Sequence, residues 1–317
     1  MLKYLFGRIL VNIPTLIAIL IAIFVMINMA PGDPVDAFVP PTQSLTSQQK
    51  DILRHDLGLD APMPVRFFVW IKKVVHGDLG YRYKDGQKVT DAIASRIPAT
   101  FMLTFIGLTL GSVLGILAGI VSARHYNKKT DYVLSVLAYL AISCPAFLVG
   151  IAGMYIFSLK LGWFPAGGYS IPGDGSWTDI LHHLILPSIV LAVQFVAILM
   201  RYTRAGLLEV MTQDYVRTAT AKGLSPYKVM VRHALPNTLI PIVTVIAANF
   251  GALIGGAVFV EVVFSWPGMG MLFLDGIESR DYPLIMGIAL FMALAILAIN
   301  IITDIIYSWI DPRITLK

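Results

Sequence analysis

The chain has 317 residues, of which 57% are hydrophobic and only 14% are charged, and its mean hydropathy is +0.75. A soluble domain carries about 25% charged residues, so this composition excludes a water-soluble globular protein and indicates that much apolar surface faces lipid. The single cysteine, Cys144, excludes a disulfide framework and any site built from several cysteines of this chain. Its apolar neighbours favour a small core residue.

Six stretches are long and apolar enough to cross a bilayer, whose hydrocarbon core needs about 20 helical residues. They lie at residues 9–29, 99–123, 132–159, 184–204, 239–261 and 284–309. The first stretch is too long for a signal peptide and is followed by a poor cleavage site, so we expect residues 1–30 to form a retained anchor. The sequence therefore predicts an all-α membrane protein with six transmembrane helices.

The basic residues predict the orientation of these spans. If both termini are cytoplasmic, Lys160 and Arg280 are the only Lys or Arg residues in the short outer loops, and the other short-loop cations lie inside. Because Lys and Arg accumulate in short cytoplasmic loops, we expect both termini in the cytoplasm. This topology accounts for the isoelectric point near 9.2 without a nucleic-acid partner.

Residues 31–98 are predicted to form a small helical loop domain outside the cytoplasm. Thr46 or Ser47 can cap one helix that Gly58 ends, and an amphipathic helix fits residues 64–76 before Gly77. Residues 99–309 then form a membrane core of five spans, and residues 310–317 form a cytoplasmic tail.

Glycines recur at every fourth position in two spans. They are Gly107, Gly111, Gly115 and Gly119 in the second span and Gly251 and Gly255 in the fifth. This spacing places small residues on one helix face, where a neighbouring helix can approach closely. The pattern fits ordinary tight packing, and it also fits a seam along which spans slide. Pro145 is expected to bend the third span.

Ionisable residues are almost absent from the spans, and only the neutral Gln194 and Asn249 lie near mid-membrane. Ion-driven carriers usually keep acidic residues there, so the pattern counts against proton- or sodium-coupled transport. Motifs of hydrolases, metalloproteases and phosphate loops are also absent. We therefore expect no catalytic residue, metal or cofactor in this chain, and a wetted interfacial role for the adjacent His182 and His183.

The longest inner segment, residues 205–238, is predicted to form two short helices at an angle. Asp214 can cap the first helix, and Gly223 can end it because glycine readily takes positive φ. Ser225 can cap the second helix, with Pro226 in the first turn, where its missing N–H costs nothing. Pro236 then leads into the fifth span.

At this segment the chain resembles the permease subunits of binding-protein-dependent ABC importers, in the dipeptide, oligopeptide and nickel subgroup. Ala219, Gly223, Leu235 and Pro236 hold positions of the family's inner-loop signature at the correct spacing. The general signature is broken at Arg217, Thr218 and His233, but the subgroup's own pattern matches residues 215–224 and 232–235. Further motifs of the subgroup lie at residues 31–34, 77–80, 267–270, 280–283 and 311–313.

The resemblance implies a type I ABC importer permease fold and a role as half of a translocation pathway in a bacterial or archaeal inner membrane. The implied partners are a second homologous permease subunit, two ABC ATPase subunits that bind ATP and magnesium, an extracytoplasmic solute-binding protein and membrane lipid. The implied coupling helix, which docks on an ATPase, comprises Tyr215, Val216, Arg217, Thr218, Ala219, Thr220, Ala221, Lys222 and Gly223. The implied outer gate or binding-protein contact comprises Trp266, Pro267, Gly268, Gly270, Arg280 and Asp281.

Two alternatives remain at this level, namely an autonomous channel or secondary carrier and a structural membrane protein without transport. For the solute, oligopeptides are favoured over a nickel chelate, and dipeptides, glutathione and sugars also fit the subgroup. In such systems the binding protein largely determines the solute, and it is a different chain.

Overall fold

A computed structural model describes residues 2–29, 35 and 46–310 of the chain. Within these ranges, the side chains of residues 2–10, 240, 248, 250–256, 304 and 306–310 are not described. The motifs predicted at residues 31–34 and 311–313 lie outside the described residues.

The described residues form twelve α-helices. They are α1 Leu2–Met29, α2 Ser47–Asp56, α3 Met63–Val75, α4 Val89–Arg124, α5 Lys129–Ser143, α6 Ala146–Gly153, α7 Trp177–Val210, α8 Asp214–Ala221, α9 Pro226–Val229, α10 Leu235–Val263, α11 Met269–Glu278 and α12 Tyr282–Ile310. π-helical turns follow α6 at Met154–Lys160 and join α9 to α10 at Met230–Ala234.

Four of the described helices, α1, α4, α7 and α12, are long and apolar enough to cross a membrane. Two bent pairs raise the number to as many as six if each pair is one span, namely Lys129–Ser143 with Ala146–Lys160 and Pro226–Leu239 with Pro241–Ala247. The predicted count of six therefore requires both bent pairs to be spans.

The third predicted span is broken rather than gently bent. Its two halves, α5 and α6, meet at 104° around Pro145. Proline has no N–H to continue the helical ladder, and the carbonyl of Cys144 instead accepts a hydrogen bond from Gln194 Nε2 on α7 at 2.9 Å. The side chain of Cys144 is exposed at this break, so the expectation of a core cysteine is wrong.

The chain divides into two compact units. The first unit comprises Met1–Pro98 and Gly268–Ala298, and the second comprises Ala99–Pro267 and Ile299–Lys317. A division after Pro98 coincides with the predicted end of the outer loop domain. The return of residues 268–298 to the amino-terminal unit is a tertiary feature that the sequence pattern did not indicate.

In the first unit, the two predicted loop helices are present with the expected ends. Thr46 and Gln49 form a reciprocal capping box at the start of α2, and Gly58 follows the helix at φ +64°. α3 ends before Gly77, which has φ +80°. One apolar cluster joins α1, α3 and α12 through Phe24, Phe67 and Met286 among others.

A second apolar cluster of the first unit joins α4, α11 and α12, and charged residues tie the loop between α3 and α4 to the same region. Asp275 accepts from Arg82 Nη2 at 2.8 Å and from Lys84 Nζ at 2.9 Å. Asp281 accepts from the backbone N–H groups of Tyr83 at 2.7 Å and of Leu284 at 3.2 Å.

The core of the second unit forms around α7, which buries side chains along most of its length against α4, α6 and α10. Within it, the Thr100 hydroxyl donates to the buried Glu261 carboxylate at 2.6 Å. His183 is also buried, with Nδ1 3.3 Å from an Asp179 carboxylate oxygen. The wetted role expected for the histidine pair is therefore wrong for His183, although His182 is exposed.

Candidate coupling segment

The predicted coupling segment folds as two short helices joined by a left-handed glycine. α8 is followed by Gly223 at φ +80°, whose N–H donates to the Thr220 carbonyl at 3.0 Å. The Ser225 hydroxyl then accepts from the Lys228 N–H at 3.5 Å, with Pro226 in the first turn of α9. These features agree with the ends inferred from the sequence.

The start of α8 differs from the expected one. Gln213, not Asp214, is the residue before the first helical turn, and its side chain makes no capping hydrogen bond. Asp214 is the first residue of α8, where its carboxylate still complements the positive end of the helix dipole. The expectation that Asp214 caps α8 is therefore wrong.

One face of α8 is fixed to the rest of the second unit by apolar packing. Val216 and Ala219 are 2% and 6% exposed, respectively, and cluster with Val229 of α9. Val210, Met211 and Leu224 pack against this cluster. α8 therefore packs directly against the end of α7 and against α9.

The other face of α8 is free to meet a partner. Of the nine residues in the predicted coupling helix, seven are exposed, namely Tyr215, Arg217, Thr218, Thr220, Ala221, Lys222 and Gly223. The buried Val216 and Ala219 support the helix from inside, so they do not form its outer surface. The side chain of Arg217 is 76% exposed and lies 3.9 Å from Asp214.

An ion pair anchors the helices that lead to the coupling segment. The Arg204 guanidinium on α7 donates to both carboxylate oxygens of Asp131 on α5, at 2.7 and 2.8 Å. The Ser122 hydroxyl on α4 and the Asn127 N–H also donate to Asp131, which is 2% exposed. This arrangement joins the ends of α4, α5 and α7 near the start of the coupling segment.

This anchor was not predicted from the sequence. Asp131 and Arg204 both lie at the predicted cytoplasmic ends of spans, and they are 73 positions apart. The available signal was that an acidic and a basic residue lie at the same predicted end of two neighbouring spans. That signal does not identify a pair, because several other charged residues lie at this end.

The four predicted packing glycines of α4 all face α7. A Cβ added at Gly107, Gly111, Gly115 or Gly119 would lie 2.5 to 2.8 Å from Leu191, Phe195, Leu199 and Thr203, respectively. The contacted residues recur at every fourth position, so for about three turns the two helices are too close together for any residue larger than glycine at these positions. The surroundings of Gly251 and Gly255 lie outside the described residues.

The predicted outer-gate residues divide by unit and by exposure. In the second unit, Trp266 is fully buried, donates from Nε1 to the Ala99 carbonyl at 2.9 Å and contacts the Tyr169 ring at 4.9 Å between centroids. Pro267, also in the second unit, is half-buried. The Trp266 side chain therefore stabilises the end of α10 and offers no surface to a binding protein.

In the first unit, Gly268, Gly270 and Asp281 are buried, whereas Arg280 is half-buried at φ +54°. Burial raises the pKa of the Asp281 carboxyl above its ordinary value. The hydrogen bonds that the carboxylate accepts from two backbone N–H groups lower the pKa, but by less than burial raises it. Burial likewise raises the pKa of the Tyr83 hydroxyl well above its ordinary value. Of these first-unit candidates, only Arg280 has appreciable exposed surface for an external partner.

The described residues contain no group of three or more His, Cys, Asp or Glu side chains that could hold a metal ion. The geometry suits mechanical coupling: an exposed short helix, a rigid apolar connection beneath it and a charged anchor at the helix ends.

The chain matches two family models and several relatives along almost its whole length. The model for the N-terminal part of binding-protein-dependent transport system membrane components matches residues 1–104, and the model for the inner membrane components of such systems matches residues 111–316. A Brucella ovis protein that carries a peptide permease name is 45% identical over 99% of both chains. The oligopeptide transport system permease AppB of Bacillus subtilis is 37% identical over 99% of both chains, and the glutathione transport system permease GsiC of Escherichia coli K12 is 38% identical over all of both chains.

Solved structures agree with the fold. A chain of the MetNI methionine ABC transporter in its inward-facing conformations has a TM-score of 0.59 at 16% identity, over 70% of this chain and 97% of that chain. A chain of an amino acid ABC transporter has a TM-score of 0.54 at 16% identity, over 69% and 94%. These likenesses confirm the predicted all-α, type I importer permease fold.

Proposed function

Since this chain belongs to the family of binding-protein-dependent transport system inner membrane components, we propose that it carries peptides as one half of a pathway. It is a multi-pass permease subunit of an ABC importer in the inner membrane, and it is a transport subunit rather than an enzyme. In this proposal an external binding protein supplies the peptide, and separate ATPase subunits supply the energy.

The observation that carries the peptide assignment is full-length similarity to three relatives whose names refer to peptide permease, oligopeptide transport and glutathione transport. Glutathione is itself a small peptide, so the three names share one chemical class. They favour peptides over the nickel chelates and sugars that the sequence motifs also allowed.

The proposed complex contains a second permease subunit, two ABC ATPases that bind ATP and magnesium, and one binding protein. The division of α8 into a buried apolar face and an exposed polar face supports ATPase docking at Tyr215, Arg217 and Lys222. In this assembly, closure of the ATPases pulls on α8, and the packing of Val216 on Val229 passes the movement towards α10.

The proposed orientation puts both termini and the coupling segment in the cytoplasm. The exposed cations Arg217, Lys222, Lys228 and Arg232 lie together in this segment, as the positive-inside rule requires of a short cytoplasmic loop. ATP is available on that side, which makes the orientation consistent with coupling.

Reconstitution in liposomes tests this function. The chain is purified with the proteins encoded beside it, and uptake of a labelled tripeptide is measured with ATP inside and binding protein outside. We expect uptake that requires ATP, both ATPases and the binding protein. Equal uptake by this chain alone would indicate a channel or secondary carrier, and failure to purify with any ATPase would contradict the proposal.

A further inference from the structure

A cavity with a partly polar lining opens in the second unit between α5, α7 and α10, close to the end of α7 that leads to the coupling segment. Its volume is about 630 Å³. Its lining includes Ser135, Tyr139, Arg201, Tyr202, Arg204 and Asn249.

The charges in this cavity do not balance. Arg204 is neutralised by the bidentate contact with Asp131 described above. Arg201 is exposed, its guanidinium lies 5.0 Å from the centre of the Tyr139 ring, and no acidic side chain in the described part of the chain pairs with it. Among the described side chains, an aromatic face is therefore the only group that stabilises the charge of Arg201 in this cavity.

The position of Arg201 argues against contact with lipid tails. Arg201 lies within the predicted span 184–204, one helical turn before Arg204, on the same face of α7 as Gln194 seven residues earlier. A cation inside a span normally faces a water-filled cavity or a partner group, since exposure to hydrocarbon is costly. The two tyrosines beside it, which are 57% and 55% exposed, add hydroxyl groups to the same surface.

We propose that this cavity is a contact site for the carboxylate of the transported peptide, with Arg201 as the charged ligand and the hydroxyls of Tyr139 and Tyr202 and the Asn249 amide as neutral partners. This inference rests on the proposed function and specifies its solute as anionic at one end. A guanidinium suits a carboxylate because it can donate two parallel hydrogen bonds. The uncompensated charge also disfavours cationic solutes such as metal ions.

The first experiment tests the electrostatic potential in the cavity and uses no peptide. Ser135→Cys is introduced into a Cys144→Ala background, so that the cavity holds the only cysteine of this chain, and the labelling of this chain alone is measured. The rates of modification by anionic sulfonatoethyl and cationic trimethylammonioethyl methanethiosulfonate are compared with and without Arg201→Gln in the complete transporter. Because a local positive charge raises the local concentration of anions and lowers that of cations, we expect the anionic-to-cationic rate ratio to fall roughly tenfold on removing Arg201. An unchanged ratio, or no modification at all, would overturn the proposal.

The second experiment tests the ligand. ATP-driven uptake of trialanine and of trialanine amide is measured for the wild type, Arg201→Gln, Arg201→Lys and the control Lys129→Gln, which removes an exposed charge at the start of α5 outside the cavity. A lost charge-assisted hydrogen bond predicts roughly 10- to 100-fold slower uptake of the free acid by Arg201→Gln. Uptake of the amide should be unchanged, with Arg201→Lys intermediate and Lys129→Gln like the wild type.

Two results would contradict the carboxylate assignment while leaving the permease function intact. An equal loss of acid and amide uptake would give Arg201 a structural role. A deficit that follows the phosphatidylglycerol content of the vesicles, and not the peptide terminus, would assign Arg201 to a lipid phosphate. If the wild type takes up no peptide although the cavity reagents respond as expected, the peptide assignment fails and the anion-selective cavity stands.

Discussion

The close approach of α4 to α7 makes a quantitative prediction for Gly119→Ala. The new Cβ would lie 2.5 Å from Thr203 Cβ and 2.9 Å from the Met200 carbonyl oxygen. Both distances are far below an ordinary contact, and the second involves backbone, so α7 as a whole must move to relieve it. Side-chain rotation of Thr203 cannot remove the clash, because Cβ is fixed by the backbone.

Gly153→Ala is the matched control. Its added Cβ would lie 3.6 Å from Val190 and 3.7 Å from Leu186, which is normal van der Waals contact. Both substitutions gain about 1 kcal/mol of helix propensity, so this gain cancels when the two variants are compared. Overpacking costs about 1–3 kcal/mol, and we expect Gly119→Ala to be less stable than Gly153→Ala by that amount.

The assay is unfolding of the purified chain in mixed micelles with increasing SDS mole fraction, followed by far-ultraviolet circular dichroism. Gly119→Ala should unfold at a lower SDS fraction than the wild type, and Gly153→Ala should not. Stabilities of the two variants within about 0.5 kcal/mol of each other would refute the packing argument, because they would mean that α4 and α7 separate freely.

Three further predictions concern charged groups. Asp131→Asn should destabilise the chain by about 3 kcal/mol, since it leaves Arg204 unpaired. Adding Arg204→Met should recover part of this loss in a double-mutant cycle, and additive losses would contradict the pairing. Arg217→Glu should weaken co-purification of an ATPase without lowering the membrane level, whereas Lys129→Glu should change neither; equal effects would remove α8 from the interface. Asp281 has a raised pKa in the folded chain, so the native state binds more protons than the unfolded state between the ordinary pKa of an Asp carboxyl and the raised one. The free energy of unfolding should therefore fall as pH rises through this interval, and Asp281→Asn should flatten the slope; identical slopes would contradict the burial argument.

Helix ends were the part of the fold that local sequence predicted best. Gly58, Gly77 and Gly223 end short helices with positive φ, and the Thr46 capping box begins one. Each of these features depends on residues within a few positions of one another. Short-range chemistry therefore sufficed to predict them.

Tertiary partners could not be predicted in this way. The pairing of Arg82 with Asp275 joins residues 193 positions apart, and the pattern of each segment contains no information about the other. The glycines of α4 indicated a close neighbour but not that it was α7. Likewise, Pro145 predicted a bend, but neither its angle of 104° nor the hydrogen bond from Gln194 on α7 to the Cys144 carbonyl could be predicted from the local sequence.

Residues 215–223 illustrate both kinds of information, the local sequence pattern and the tertiary packing. Similarity to a family signature predicted the whole range 215–223, whereas packing decides which of its side chains are exposed and which are buried. Val216 and Ala219 lie within this range but are buried and cluster with Val229, so they support α8 and form no part of its outer surface. A sequence match alone does not separate support from contact.

The most direct test of coupling through α8 compares Gly223→Ala with Gly162→Ala in the complete transporter. Both glycines have positive φ, +80° and +63°, and neither has an atom within 4 Å of an added Cβ, so both alanines introduce backbone strain of about 1–2 kcal/mol without a clash. We expect Gly223→Ala to lower solute-stimulated ATP hydrolysis roughly 5- to 30-fold, with wild-type membrane levels, while Gly162→Ala retains full stimulation. Full stimulation in both variants would contradict the central claim that the turn after α8 transmits ATP-driven movement to the spans.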